Sequence, residues 1–371
     1  MKSVPSLIRT TAVRPGTTRR NCFDLLRLAA ALAVLVSHSY ALAGQREPQV
    51  GSLALGTAAV VVFFAISGFL ITQSWVLEPR LIAFLAKRAL RIMPALLAVL
   101  VLSALVLGLI LTTLPRDEYV SDAGVWKYIG ANAFMKTTYD LPGVFAHNPF
   151  PDAVNGSLWT LKHEVRCYLL VAAIGVLGLL RGRHWGTAAL AAVIAVTLTG
   201  SGDGVLGDPL LVRAFCVAAL LYVWRERIPW SVALAVALVA AWLAAPGGDL
   251  QRWLATLALP YATLLAAYAL PAGWRRLTAR GDISYGVYLW AFPVQQVIAS
   301  SWHGVPALAL VGLALPATVA LAAASWVAVE RPALALKSRV VTRRAEVVAP
   351  AGQPAAAGVQ HPQPAPATTT A

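Results

Sequence analysis

Residues 21–39 read Asn21-Cys-Phe-Asp24-Leu-Leu-Arg27-Leu-Ala-Ala-Ala-Leu-Ala-Val-Leu-Val-Ser-His38-Ser39, the start of an otherwise apolar run of membrane-spanning length that carries an acid, a base and an imidazole. On an α-helix, residues 11 apart are separated by about 1100°, roughly 20° past three full turns, so Arg27 and His38 share one face about 16 Å apart. Asp24 belongs to the same stripe. Ionisable groups inside a membrane helix are costly and turn toward a bundle interior or a water-filled cavity, so the aligned column marks a site. For each residue alone a plainer reading stays open, with Asp24 and Arg27 at the water interface and His38 bonded to a neighbouring helix.

Composition extends this reading to the whole chain. Of its 371 residues 58% are hydrophobic and 12% charged, and the mean hydropathy is +0.69, too apolar for a soluble domain. The expected fold is an all-α polytopic membrane protein with about ten transmembrane helices. Apolar segments lie near 22–43, 51–74, 89–113, 157–180, 186–200, 208–224, 230–246, 250–271, 282–300 and 305–328. The fifth, sixth and seventh are short and flanked by Gly or Pro. Basic residues before an apolar run, and Ala41-Leu-Ala43 after it, also resemble a cleavable signal peptide. Arg27 and His38 inside the apolar core argue against cleavage, as do nine further segments.

Charge placement tests the helix count. With a cytoplasmic N-terminus, cytoplasmic segments hold 21 of the 30 Lys and Arg, whereas the opposite-side loops hold five: Arg46, Arg116, Lys127, Lys136 and Arg252. An alternation of that strength obeys the positive-inside rule, and an odd number of spans would scramble it, so both termini are expected in the cytoplasm. The net charge of +14 then needs no nucleic acid, since basic loops beside anionic membrane lipid account for it.

Three cysteines, Cys22, Cys167 and Cys216, show no CxxC and no metal-ligand spacing, so neither disulfide nor metal is expected. The expected organisation is a basic cytoplasmic segment at 1–20, a ten-helix unit at 21–332 and a cytoplasmic tail at 333–371. The tail is expected to be disordered from about 345, where Ala, Pro, Gln and Thr dominate without apolar periodicity. Loop 114–156 carries Trp126, Tyr128, Phe134, Tyr139, Phe145 and His147. It reads either as a lid or substrate platform or as an interfacial aromatic belt.

Lys87-Arg88-Ala-Leu-Arg91-Ile-Met-Pro94 puts a basic cluster at the expected entrance of the third span, with Arg88 and Arg91 on one helix face. Two adjacent guanidinium forks suit phosphate, although for the cluster taken alone topogenic charge is the preferred reading. Asn155-Gly-Ser157-Leu-Trp159-Thr-Leu-Lys162-His163-Glu164-Val-Arg166-Cys-Tyr168 opens the fourth span, with Glu164 and Tyr168 four apart on one face. Asp282-Ile-Ser284-Tyr285-Gly-Val-Tyr288-Leu-Trp290-Ala-Phe-Pro293-Val-Gln295-Gln296 opens the ninth, where Pro293 frees a backbone carbonyl at membrane depth.

These motifs resemble the acyltransferase-3 family of integral membrane O-acyltransferases. Asp24 with Arg27-x10-His38, Phe64-Ala-Ile-Ser67-Gly68-Phe-Leu-Ile71, Arg88-x-x-Arg91 with Pro94, Ser157-Leu-Trp159 followed by Glu164, Ile283-Ser-Tyr285-Gly-Val-Tyr288-Leu-Trp290, and Glu330-Arg331-Pro332 occur in the family's order, across residues 21–332. The resemblance implies an enzyme of the bacterial inner membrane that moves an acyl group, often acetyl from acetyl-CoA, to a hydroxyl of a cell-envelope or exported glycan or glycolipid. It implies that His38 is essential for transfer and that Arg27, Arg88 and Arg91 serve the acyl-CoA donor. Many members have a histidine after the Leu-Trp of the ninth span; here that position is Ala291, so no catalytic role falls there. No fused extracytoplasmic hydrolase-like domain follows, so any partner completing the modification is expected on a separate chain.

The residues and the resemblance meet in one mechanism. Donor phosphates sit at the cytoplasmic end near Arg88, Arg91 and Arg27, and a long thioester arm spans the roughly 16 Å to His38. A neutral His38 then acts either as general base on the acceptor hydroxyl or as transient acyl carrier. Asp24 and Glu164 complete the expected catalytic set, Glu164 to assist His38 or to hold a sugar hydroxyl. A secondary transporter or glycan flippase without acyl chemistry is the alternative. It would favour two related halves, yet the second half has no Arg-x10-His counterpart, and a scaffold without chemistry leaves the aligned column unexplained.

Overall fold

The computed structural model of the protein describes residues 21–199, 207–279 and 281–336. The basic segment at 1–20 and the tail from 337 onward lie outside the described residues. A two-residue antiparallel hairpin, β1 (Gln49–Val50) with β2 (Leu53–Ala54), is the one sheet among the described residues. The helices are α1 (Phe23–Leu42), α2 (Leu55–Leu77), α3 (Leu81–Leu111), α4 (Arg116–Ser121), α5 (Ala123–Ala133), α6 (Trp159–Val176), α7 (Arg183–Thr199), α8 (Pro209–Val223), α9 (Val232–Ala244), α10 (Asp249–Ala269), α11 (Ser284–Ser301) and α12 (Ala307–Leu336). A helix covers each of the ten apolar segments. Four of them, α1, α2, α3 and α12, are long and apolar enough to cross a membrane by length and composition, and α8 and α9 are shorter apolar helices.

Local chemistry sets several boundaries. Asp208 caps α8, its Oδ1 accepting from Leu210 N (2.8 Å) and Leu211 N (3.2 Å), with Pro209 at the first helical position where no N–H is missed. The second apolar segment begins as helix at Leu55 rather than at residue 51, because Gly51, at φ +61°, turns the chain into the β1–β2 hairpin first. The third begins at Leu81 rather than at residue 89. Its first two turns mix apolar residues with Lys87 and Arg88, which lowers the hydropathy of any window placed there, so the basic cluster lies within the helix instead of at its entrance.

Loop 114–156 is more ordered than the sequence indicates. Helices α4 and α5 lie within it, and their buried Tyr119 and Tyr128 pack into the main core. The Tyr119 hydroxyl donates to Ala104 O (2.8 Å) inside a π-helical turn of α3, Ser103–Leu107. The aromatics of the loop therefore divide: Tyr128 and Phe145 are core, whereas Trp126, Phe134 and Tyr139 stay exposed.

Helix α2 is buried along most of its length and packs against α1, α6, α8 and α10. Its close approach to α8 depends on Gly68, where a Cβ would lie 2.2 Å from the Phe215 carbonyl oxygen and 3.0 Å from Ala218 Cβ. Small residues let membrane helices approach in this way. Gly68→Ala is expected to cost about 1–3 kcal/mol through overpacking, read as a lower unfolding temperature in detergent. An unchanged transition would mean that the α2–α8 contact yields freely.

Candidate active site

The first turns of α1, the second and third turns of α3 and the turn before α11 converge on one carboxylate. Asp282 Oδ2 accepts from Arg91 and lies 3.6 Å from Arg27 Nη1, which is in turn 3.7 Å from Asp24 Oδ1. The other oxygen, Oδ1, accepts from Ser284 N (3.1 Å) and from the Ser284 hydroxyl, capping α11. One carboxylate thus gathers two arginines from helices far apart in sequence. Arg91 also lies over the Tyr285 ring, 5.9 Å from its centroid.

Arg88 is placed differently. Its guanidinium stands 5.8 Å from the Phe84 ring and 6.0 Å from the Tyr168 ring, its buried Nε has no hydrogen-bond partner, and among the described residues no carboxylate lies within ion-pairing distance. Lys87, by contrast, is paired with Glu78. Lys87 and then Arg80 hold the Glu78 carboxyl below its ordinary range. Glu164 on α6 accepts from the Tyr168 hydroxyl, one turn on as the spacing requires, and from Ser67 Oγ on α2 (3.4 Å).

These groups line one cavity of about 760 Å³. Asp24, Arg27, Arg88, Arg91 and Glu164 all reach it, together with Asp282, and Phe63, Thr160 and Tyr288 also lie on its wall. The Thr160 and Tyr288 hydroxyls are 2.7 Å apart, and Tyr288 donates to Ser157 O (2.9 Å).

His38 is not in the cavity wall. It packs edge-on against Phe292, ring centroids 5.3 Å apart, and among the described residues its buried Nδ1 has no hydrogen-bond partner. Tyr288 and Phe292 are one turn apart on α11, so the imidazole contacts the next turn beyond a cavity-lining residue. Glu164 bonds Tyr168 and Ser67, and no bond joins it to His38 among the described residues; the expected assistance to the imidazole is absent from this geometry. The flanks of His38 are pinned. Ser37 Oγ pairs with Glu47 and accepts from Gly56 N (2.8 Å), while Gln295 Nε2 donates to Leu35 O (2.7 Å) and Ser39 Oγ (2.6 Å). Ser157 Oγ and Gln295 Oε1 are also buried without partners among the described residues.

The carbonyl freed by Pro293 belongs to Leu289, and Asn155 Nδ2 donates to it (2.9 Å). Gln296 binds the same loop, donating to Phe150 O (2.8 Å) and Ala153 O (2.7 Å). His163 turns away from the cavity: its Nδ1 accepts from Asp208 N (3.3 Å) and its ring meets Trp159. The three cysteines are buried and free, and no group of three or more His, Cys, Asp and Glu is placed to hold a metal ion among the described residues.

The sequence model of a family described as an acyltransferase domain matches residues 20–327. The chain belongs to the acyltransferase-3 family. An O-acetyl transferase of Shigella phage Sf6 is 35% identical over 299 residues, covering 77% of this chain and 87% of that protein. Nodulation protein 10 of Rhizobium leguminosarum bv. viciae is 31% identical over 373 residues, covering 88% of this chain and 97% of that protein. No solved structure matches the chain. This acyltransferase is thus an integral membrane enzyme that transfers acyl groups, which sets aside the transporter reading. Within it, Asp282 and Gln295 are the site residues whose partners the sequence did not reveal. The only signal was their position in the motif that opens α11.

Proposed function

We propose that this acyltransferase moves an acyl group, acetyl by likeness to the phage O-acetyl transferase, from cytoplasmic acyl-CoA to a hydroxyl of a cell-envelope or exported glycan. The observation that carries the donor assignment is the convergence of Arg27, Arg88 and Arg91 on one cavity, where Arg88 makes no ion pair among the described residues. Glu164 in the same cavity attracts Arg88 without pairing with it, so the guanidinium fork stays open to phosphate, which it can bind bidentately. CoA fits the remaining geometry, since its arm is long enough to carry a thioester from the arginines to His38, about 16 Å along α1.

In the reaction the acceptor hydroxyl attacks the thioester carbonyl carbon. A C–O ester bond forms, the C–S bond breaks, and the hydroxyl proton passes through His38 to the departing CoA thiolate. If His38 carries the acyl group first, a C–N bond to the imidazole forms as C–S breaks and CoA thiolate leaves. The acceptor hydroxyl then forms the C–O ester as C–N breaks, its proton passing to the thiolate. A hydroxyl acceptor is supported by the name of the phage relative, an O-acetyl transferase, and its assignment to a glycan rests on the resemblance to the family. Free-thiol release from acetyl-CoA, measured with and without envelope polysaccharide stripped of its esters by mild alkali, tests the reading. Release that depends on the polysaccharide supports it, and no release opposes it.

The arrangement requires the arginine end to face the cytoplasm, with ten spans in the bacterial inner membrane, both termini inside and residues 21–332 as the catalytic unit. The 21-to-five division of basic residues supports this. Reporters fused after Ala245, between α9 and α10, are expected outside the cytoplasm and those after Arg276 inside. Both on one side would break the ten-span topology.

A further inference from the structure

At the end of α1 remote from Asp24, residues 139–153 enclose a groove of about 580 Å³. Leu42, the last residue of α1, is buried in one cluster with Ala153 and Phe292, which fixes the groove at that end. Its walls include Tyr139, Phe150, Asp140 and Asp152, and among the described residues no Lys or Arg lines it. Tyr139 and Phe150 are 39% and 44% exposed, so each presents surface to the groove.

The groove is built rather than incidental. Val154 N donates to Tyr139 O (2.8 Å), and Gln296 on α11 holds the carbonyls of both Phe150 and Ala153. Asp152 adopts φ +59°, a left-handed conformation that Asp and Asn tolerate better than other non-glycine residues. The Phe150 ring meets Phe292 edge-on, centroids 6.0 Å apart, and Phe292 meets His38 at 5.3 Å. Two ring contacts therefore connect the groove to the imidazole, on the side away from the arginine cavity. Gly156 leaves room for this arrangement, since a Cβ there would lie 2.5 Å from the Phe292 ring.

The lining specifies a chemical class. Two carboxylates with no lining cation repel phosphate, which excludes CoA and anionic lipid headgroups. Carboxylates accept strongly from hydroxyls, and aromatic rings cover the apolar faces of a ring-shaped ligand. We propose that this groove binds the sugar chain of the acceptor, an uncharged, hydroxyl-rich glycan, and presents one hydroxyl past Phe292 to His38. The proposal rests on the acyl-transfer reading above, but the site is separate from the donor cavity.

The test uses the full chain in detergent, with acetyl-CoA and polysaccharide freed of esters by mild alkali. Phe150→Ala is expected to raise the KM for polysaccharide roughly five- to tenfold. Asp152→Asn keeps the left-handed preference while removing the charge and is expected to raise it about three- to tenfold. CoA affinity, measured by calorimetry, is expected to be unchanged in both. A second readout needs no turnover: with the three native cysteines buried, Phe150→Cys offers one accessible thiol, and polysaccharide is expected to slow its labelling by a charged maleimide. Protection without transfer would keep the groove and refute the reaction. Transfer with KM unmoved and no protection would refute the groove and keep the reaction, and loss of CoA affinity in Phe150→Ala would also overturn a separate acceptor site.

Discussion

Replacing His38 by alanine is expected to lower acyl transfer roughly 100- to 10,000-fold, the range over which a positioned proton-transfer group contributes to catalysis. CoA affinity is expected to stay near that of the wild type, because His38 is absent from the cavity that holds the arginines. Among the described residues the buried Nδ1 of His38 has no partner, while Ser37, Ser39 and Gln295 fix the backbone on either side. A nitrogen so placed is open to a hydroxyl brought by substrate, the role proposed for it. Rates of labelled acetyl transfer and calorimetric titration of CoA check both halves. Wild-type transfer by the alanine variant would remove His38 from the mechanism.

The second large effect concerns the donor. Arg88 and Arg91 resemble each other in sequence, but their surroundings differ. Arg91 is bonded to Asp282, so removing it leaves that carboxylate with Arg27 alone and mixes structural damage with lost affinity. Arg88 makes no ion pair among the described residues. Arg88→Ala is therefore expected to weaken CoA binding by about 2–3 kcal/mol, roughly 30- to 150-fold, while leaving the ligand-free protein at least as stable as the wild type. Arg88→Lys keeps the charge but loses the planar fork, and is expected to fall between the two. Calorimetry gives the affinities and thermal unfolding the stabilities. If lysine substitutes fully and alanine leaves CoA affinity unchanged, the charge is topogenic and the donor site lies elsewhere.

What the sequence disclosed follows from what helical periodicity can carry. Arg27 and His38 on one stripe, Arg88 beside Arg91 and Glu164 beside Tyr168 are all relations within one helix, and the structure keeps each of them. Relations between helices were hidden. Nothing local says that Asp282 reaches Arg91, 191 positions away, or that Gln295 grips the carbonyl of Leu35. Proline was the exception, since a freed carbonyl at Leu289 demands a donor, although its identity, Asn155, had to come from the fold. Helices α4 and α5 escaped notice because 6 and 11 residues of mixed composition fall short of a spanning signal. Their buried Tyr119 and Tyr128 read equally well as interfacial aromatics. The separation of His38 from the arginine cavity was latent in the 11-residue spacing, which aligns the two groups in angle while parting them along the axis.

In the proposed function the acyl group passes from cytoplasmic CoA to an acceptor on the other membrane face while its CoA carrier stays behind. Vesicles containing the purified enzyme, loaded with ester-free polysaccharide and given acetyl-labelled acetyl-CoA outside only, measure this directly. The expected result is label on the enclosed polysaccharide, with an equal amount of free CoA thiol appearing outside. Label reaching the polysaccharide only when both substrates share one side of the membrane, or an intact thioester pool, would contradict it.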